Sequence, residues 1–210
     1  MGAGQLNAPT NSNRGMAPYG IFTVKNNVDE LSDLVAKRLK GSPTGSVSVF
    51  VPMGESLGAN GETKNWGLKL FECKKNRDRV FATQEKFEAH GFAPELGEKI
   101  DLSHGNMRYG YMTEQIELLV PYEISQSFKN DPDGYFQYVI DEVDSRFPEE
   151  MLQEKVDYMA EITGIYLLDM HEENWGLKDG ELMPLDFGAY RDENEKYHYH
   201  TSWHNLRIVV

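Results

Sequence analysis

The chain has a single cysteine, Cys73, in 210 residues, so no disulfide forms within it. A solitary thiol fits a reducing compartment, and the expectation is a cytoplasmic protein. No apolar run comes near the roughly 18 residues that a membrane span needs. The opening stretch "MGAGQLNAPTNSNRGMAPYG" lacks the charged and apolar blocks of a secretory signal. Gly2 invites a myristoylation reading, but Leu6 stands where that motif takes Ser or Thr. Residues 1–20 read instead as a flexible tail rich in Gly, Asn, Pro and Ser. Positive charge is scarce: 21 Lys and Arg face 34 Asp and Glu, a formal net charge of −13. That sign argues against a phosphate backbone or an anionic membrane as a partner, so neither direct nucleic-acid nor membrane binding is expected. It suits a basic protein partner.

What is present is globular composition: 40% hydrophobic and 26% charged residues, enough to build a core for one domain or two small lobes. "DELSDLVAKRL" reads as a short helix or the lead into a strand, since periodicity does not separate the two. "GSPTGSVSVFVP" is a Gly-bounded turn followed by β-branched alternation, a strand signal. The loop "GESLGANGETKN" then separates it from "WGLKLFECK", a second strand, as a hairpin with a long connection. "RDRVFATQEKFEAHG" has helical spacing closed by Gly91. "FAPELGEKIDL" and "NMRYGYMTEQIELL" are further strands, and from Pro121 the pattern turns helical. There "EEMLQEKVDYMAEITG" sets Leu152, Val156, Met159 and Ile162 on one face. Strands first and helices later predict an α+β fold.

The segment with the densest chemistry is "LLDMHEENWGLKDGELMPLDFGAY", which reads as a strand–turn–strand around "KDGE". It carries Asp169, His171, Asn174 and, opening "DFG", Asp186. Asp-x4-Asn followed about a dozen residues later by Asp-Phe-Gly resembles the catalytic loop and metal-binding triplet of the protein-kinase-like fold. "DMHEEN" is similar to the D-x-H-x-x-N loop of its aminoglycoside- and choline-kinase branch and of small phage-encoded kinases. The resemblance runs from about residue 34 to 190. It implies two lobes: a strand-rich small lobe over 21–117 and a reduced helical lobe over 118–210.

The same resemblance implies roles. Asp169 orients the acceptor hydroxyl, while Asn174 and Asp186 are hard oxygen ligands for Mg²⁺ beside ATP. His171 is a scaffold of the loop. Lys69 in "WGLKLF" is the phosphate-contacting lysine, its flanks Leu68 and Leu70 pointing the other way by strand alternation. Glu85, preferred over Glu88 one turn on, is its helix partner. "LVAKRLKGSPTGSVSVFV" looks like first strand, phosphate-covering loop and second strand, with Gly41 and Gly45 over the phosphates. Met112 or Thr113 neighbours the adenine, and backbone groups from Glu114 to Ile116 bond its edge.

Departures stand beside the match. Leu167 and Leu168 occupy the usual His-Arg positions, the loop has two glycines with Pro43 between them, and no A-P-E element follows Gly188. The expectation is therefore an ATP- and Mg²⁺-dependent phosphotransferase acting on a protein or small-molecule acceptor. The alternative is a kinase-like binding protein that masks a basic, nucleic-acid-binding partner. Transfer of AMP instead of phosphate is a third reading. Near the end, His198, His200 and His204 raise a zinc site, against exposed histidines on a strand or loop.

Overall fold

A computed structural model of the chain describes residues 28–39, 48–57 and 62–198. The described part is mixed α+β, 40% helical and 30% strand, as the order of patterns predicts. Gly41, Gly45, residues 1–20, His200 and His204 lie outside the described residues.

The element order begins with helix α1 (Val28–Leu39), strands β1 (Ser48–Leu57) and β2 (Thr63–Phe71), and helix α2 (Lys74–Glu88). Strands β3 (Leu96–Asp101), β4 (Tyr109–Glu114) and β5 (Glu117–Leu118) follow. Next come α3 (Tyr122–Ser127), α4 (Pro132–Tyr138) running into a π turn at Val139–Asp144, and α5 (Glu149–Thr163). The described chain closes with β6 (Ile165–Leu167), a 3-10 turn at Glu172–Asn174, β7 (Trp175–Lys178), β8 (Glu181–Pro184), β9 (Tyr190–Asp192) and β10 (Tyr197–His198).

The largest sheet is antiparallel in the order β1-β2-β4-β3. Strand alternation splits its side chains between two cores. Leu68, Leu70, Val51, Met53 and Ile100 meet Leu31 and Val35 of α1 on one side. On the other, Phe71 and Tyr111 join Val80, Phe81 and Phe87 of α2 in the larger core, which continues to α5 and β6–β8. Lys69 belongs to this second face, directly paired with Tyr111 across the strands.

Several readings are corrected. "LVAKRL" is helical rather than a first strand, because Leu31 and Val35, one turn apart, are the residues it buries. The predicted long β1–β2 connection is short: the strands stay paired to Leu57 and Thr63, past an irregularity between Pro52 and Gly54. In α5, Leu152, Val156 and Met159 are buried, but Ile162 is 39% exposed. Its helix stops at Gly164, whose left-handed φ of 69° favours glycine. The 167–190 segment is not one hairpin; β6 pairs with β9, and only β7–β8 folds around the "KDGE" turn.

Candidate functional site

The β7–β8 hairpin acts as a caliper. Its last pair is Trp175 with Pro184, and Leu185 N donates to Asn174 O at 2.8 Å just beyond. Residues far apart in sequence are thereby set side by side, with Asp186 immediately after Leu185. The Leu185 carbonyl accepts from Lys69 Nζ at 3.0 Å, and Lys69 Nζ lies 3.6 Å from Asp186 Oδ1. Lys69 is nearly buried, its side chain 11% exposed, whereas that of Asp186 is 29% exposed. Asp186 Oδ1 also accepts from Gly188 N at 3.0 Å, the bond that closes the turn through Phe187.

The 169–174 loop is tied from within. Asn174 Nδ2 donates to Asp169 O at 2.7 Å and sits 3.1 Å from His171 Nε2. For the second contact His171 must accept at Nε2, which places its proton on Nδ1. With its amide nitrogen so engaged, Asn174 presents Oδ1 as an oxygen with no hydrogen bond among the described residues. Trp175, fully buried, holds the loop from beneath by donating Nε1 to Met170 O at 3.3 Å. Asp169 itself takes a left-handed φ of 58°, a conformation that Asp and Asn tolerate better than other non-glycine residues. Its residue is exposed, and its carboxylate has no hydrogen bond or ion pair among the described residues.

The loop acids are engaged with the helices that precede them. Glu173 Oε1 accepts from Ser125 Oγ and from Tyr135 Oη at 3.0 Å, clasping α3 and α4 to the loop. Burial, then the carboxylates of Glu172 and Glu173 that accept from its hydroxyl, push the Tyr135 phenol well above its ordinary range.

α2 turns polar as well as apolar residues toward the sheet. Glu88 Oε1 accepts from Leu96 N at 3.1 Å, and Glu85 is half-buried on the flank of the helix. Gln84 is the buried one: its Oε1 accepts from Tyr111 Oη at 2.8 Å and its Nε2 donates to Thr113 Oγ1 at 2.9 Å. Sequence reading favoured an acid here and passed over the amide. Arg79 was likewise missed; its Nη1 donates to Gly188 O at 2.8 Å, joining α2 to the turn after Asp186.

No protein-family model matches the chain, and no curated protein does.

At the end of β4, the N–H groups of Glu114 and Gln115 are already spent on Glu95 O and Asn65 O, both at 2.8 Å. The Glu114 carboxylate, nearly buried, pairs with Lys178 Nζ at 2.6 Å, tying the large sheet to the hairpin. Ile116 packs so closely on Gly176 that a Cβ there would lie 2.6 Å from its Cδ1, so β7 needs glycine at that point. A hollow of about 260 Å³ beside Arg79, Lys86, Asp192 and His198 contains none of the residues expected to meet nucleotide or Mg²⁺.

Among the described residues no cluster of three or more His, Cys, Asp or Glu side chains is arranged to hold a metal, and no helix is long and apolar enough to cross a membrane. His198 is engaged with Asp192 Oδ2 at 2.8 Å and stacks on Tyr190.

Tyr111 supplies a pH test of this packing. Complete burial, aided by the negative charge of Asp186, raises its phenol well above the ordinary 10.0. The unfolded chain therefore sheds this proton near pH 10 while the folded chain keeps it, so stability is intact below pH 10 and falls above it. Each pH unit in that window costs about 1.4 kcal/mol per such group. Urea midpoints from pH 9 to 11 should fall more steeply for the wild type than for Tyr111→Phe. Equal slopes would place the Tyr111 hydroxyl in water.

Proposed function

We propose that the chain is an ATP- and Mg²⁺-dependent phosphotransferase of two-lobed kinase-like form, with residues 21–117 as the small lobe and 118–210 in the second. The observation that carries this reading is the ion pair between Lys69 and Asp186, 117 residues apart in sequence yet 3.6 Å apart in space. Phosphoryl transfer leaves little covalent work to the protein, which must position the phosphates and offset their charge. Lys69 has the placement for the phosphate oxygens, held by the Leu185 carbonyl, with Glu85 as the candidate helix partner. Gly41 to Gly45 would cover the phosphates.

Asp169 offers an exposed carboxylate to accept the proton of an acceptor hydroxyl as that oxygen bonds to the γ-phosphorus and ADP departs. Its positioning comes from Asn174, which His171 holds in turn. The donor set suits Mg²⁺: an amide oxygen at Asn174 and a carboxylate at Asp186, both hard ligands. When bound there, the ion would neutralise phosphate charge. Adenine would meet the strand end, where Ile116 N–H is the candidate donor because the N–H groups of 114 and 115 are occupied, while Glu114 offers its carbonyl.

The test is thermal denaturation with Mg²⁺ and a non-hydrolysable ATP analogue. Ligand at a hundred times Kd adds about 2.7 kcal/mol, which raises Tm by roughly 5–10 °C in a chain of this size. Lys69→Met should remove most of that rise. A flat response in the wild type would defeat the nucleotide reading.

The charge balance favours the second reading, a kinase-like protein that masks a basic partner. It becomes the better account if nucleotide binds without transfer, or does not bind, while a basic protein co-purifies in a salt-sensitive way.

A further inference from the structure

The helix α5 has two apolar faces, and only one is covered. Leu152, Val156 and Met159 lie in the core, while Met151, Tyr158 and Ile162 are 46%, 54% and 39% exposed. Met151, Lys155, Tyr158 and Ile162 follow a 4-3-4 spacing, which at 100° per residue confines them to an arc of about 60°. That is the seam spacing by which one helix receives another. Along one edge of the stripe stand the exposed Glu154 and Glu161; along the other lie the buried Leu152 and Met159. Lys155, the sole cation between residues 149 and 162 against five acids, is half-buried and pairs with Glu181 at 3.6 Å. Tyr158 meets Phe92 edge-on at 5.7 Å, so the most exposed member of the stripe is already held in place.

We propose that this face of α5 docks one basic amphipathic helix of a partner protein. The partner's apolar seam covers Met151, Tyr158 and Ile162, and its Lys or Arg flank meets Glu154 and Glu161. Apolar anchors at helical spacing are the means by which a helix seats on such a surface. A pre-positioned tyrosine is an effective anchor. The charge selects the occupant: a second copy of this chain would bring the same glutamates to the contact, and like charges oppose it. Docking on this face requires no nucleotide.

The test uses the full chain and a fluorescein-labelled peptide of about three heptads with Leu in the seam and Lys on both flanks. A scrambled peptide of equal composition is the control. In fluorescence anisotropy the amphipathic peptide should bind at least about tenfold more tightly than the scrambled one, a difference of the size a few anchors confer. Tyr158→Ser with Ile162→Ser should abolish that preference, with circular dichroism unchanged. Glu154→Lys with Glu161→Lys should transfer the preference to a Glu-flanked peptide. Equal binding of both peptides, indifference to both double variants, or a dimer formed through this face in sedimentation would each overturn the proposal.

Discussion

Asp169→Asn should lower phosphoryl transfer by a factor of about a thousand or more, the scale of a lost general base, while nucleotide binding stays nearly unchanged. The substitution is chosen for its backbone. Asp169 has φ of 58°, and Asn accepts that conformation as readily as Asp does, whereas Ala would add strain to the loss of the carboxylate. The Asp169 carbonyl, which Asn174 Nδ2 uses at 2.7 Å, survives the change. So the loop keeps its form and loses one negative oxygen. The measurement pairs transfer of γ-labelled phosphate with the Tm rise given by the ATP analogue. Transfer unchanged in the variant removes Asp169 from the chemistry. Loss of both transfer and binding assigns it to the nucleotide pocket instead.

The largest stability effect is expected at Phe187, between Asp186 and Gly188. Its ring is fully buried and packs on Phe87 of α2 with centroids 5.4 Å apart. Truncation to Ala removes a ring from a close-packed interior and leaves a cavity, at a cost of about 3–5 kcal/mol. Phe187→Leu keeps most of the volume and should cost less than about 1.5 kcal/mol. Denaturant midpoints for the two variants measure the difference. Because the Gly188 N–H bond to Asp186 closes the turn around this ring, Ala should also loosen the carboxylate and weaken nucleotide binding. A loss under about 1 kcal/mol for Phe187→Ala would mean that the ring is not the wedge between α2 and the turn.

Where the sequence was most periodic it was read best. The buried stripe of Leu152, Val156 and Met159 on α5 and the turn of Lys69 away from Leu68 and Leu70 rest on periodicities that act within a few residues. The spacing from Asp169 through Asn174 to Asp186 was visible, because a short hairpin is a local device. What could not be seen was contributed by backbone or decided by helix rotation. The Leu185 carbonyl that holds Lys69 has no signature in residue type. The N–H groups at 114 and 115 were spent on partners in two other segments. Whether α2 turns Gln84 or Glu85 inward depends on how the whole helix docks, and the two differ by one residue, about 100° of rotation. α1 was ambiguous because a short apolar run fits either period until the surface it covers is known.

The buried indole of Trp175 gives the loop a built-in optical reporter. Its N–H grips the Met170 carbonyl, one residue beyond Asp169, so a shift of that backbone alters the dipole facing the ring. Emission from this fluorophore should start blue, as for any dry indole, and should move when the Asp169 turn rearranges. With Trp66 and Trp203 replaced by Phe, rapid-mixing fluorescence can therefore time the loop's response to added compounds without a chemical dye.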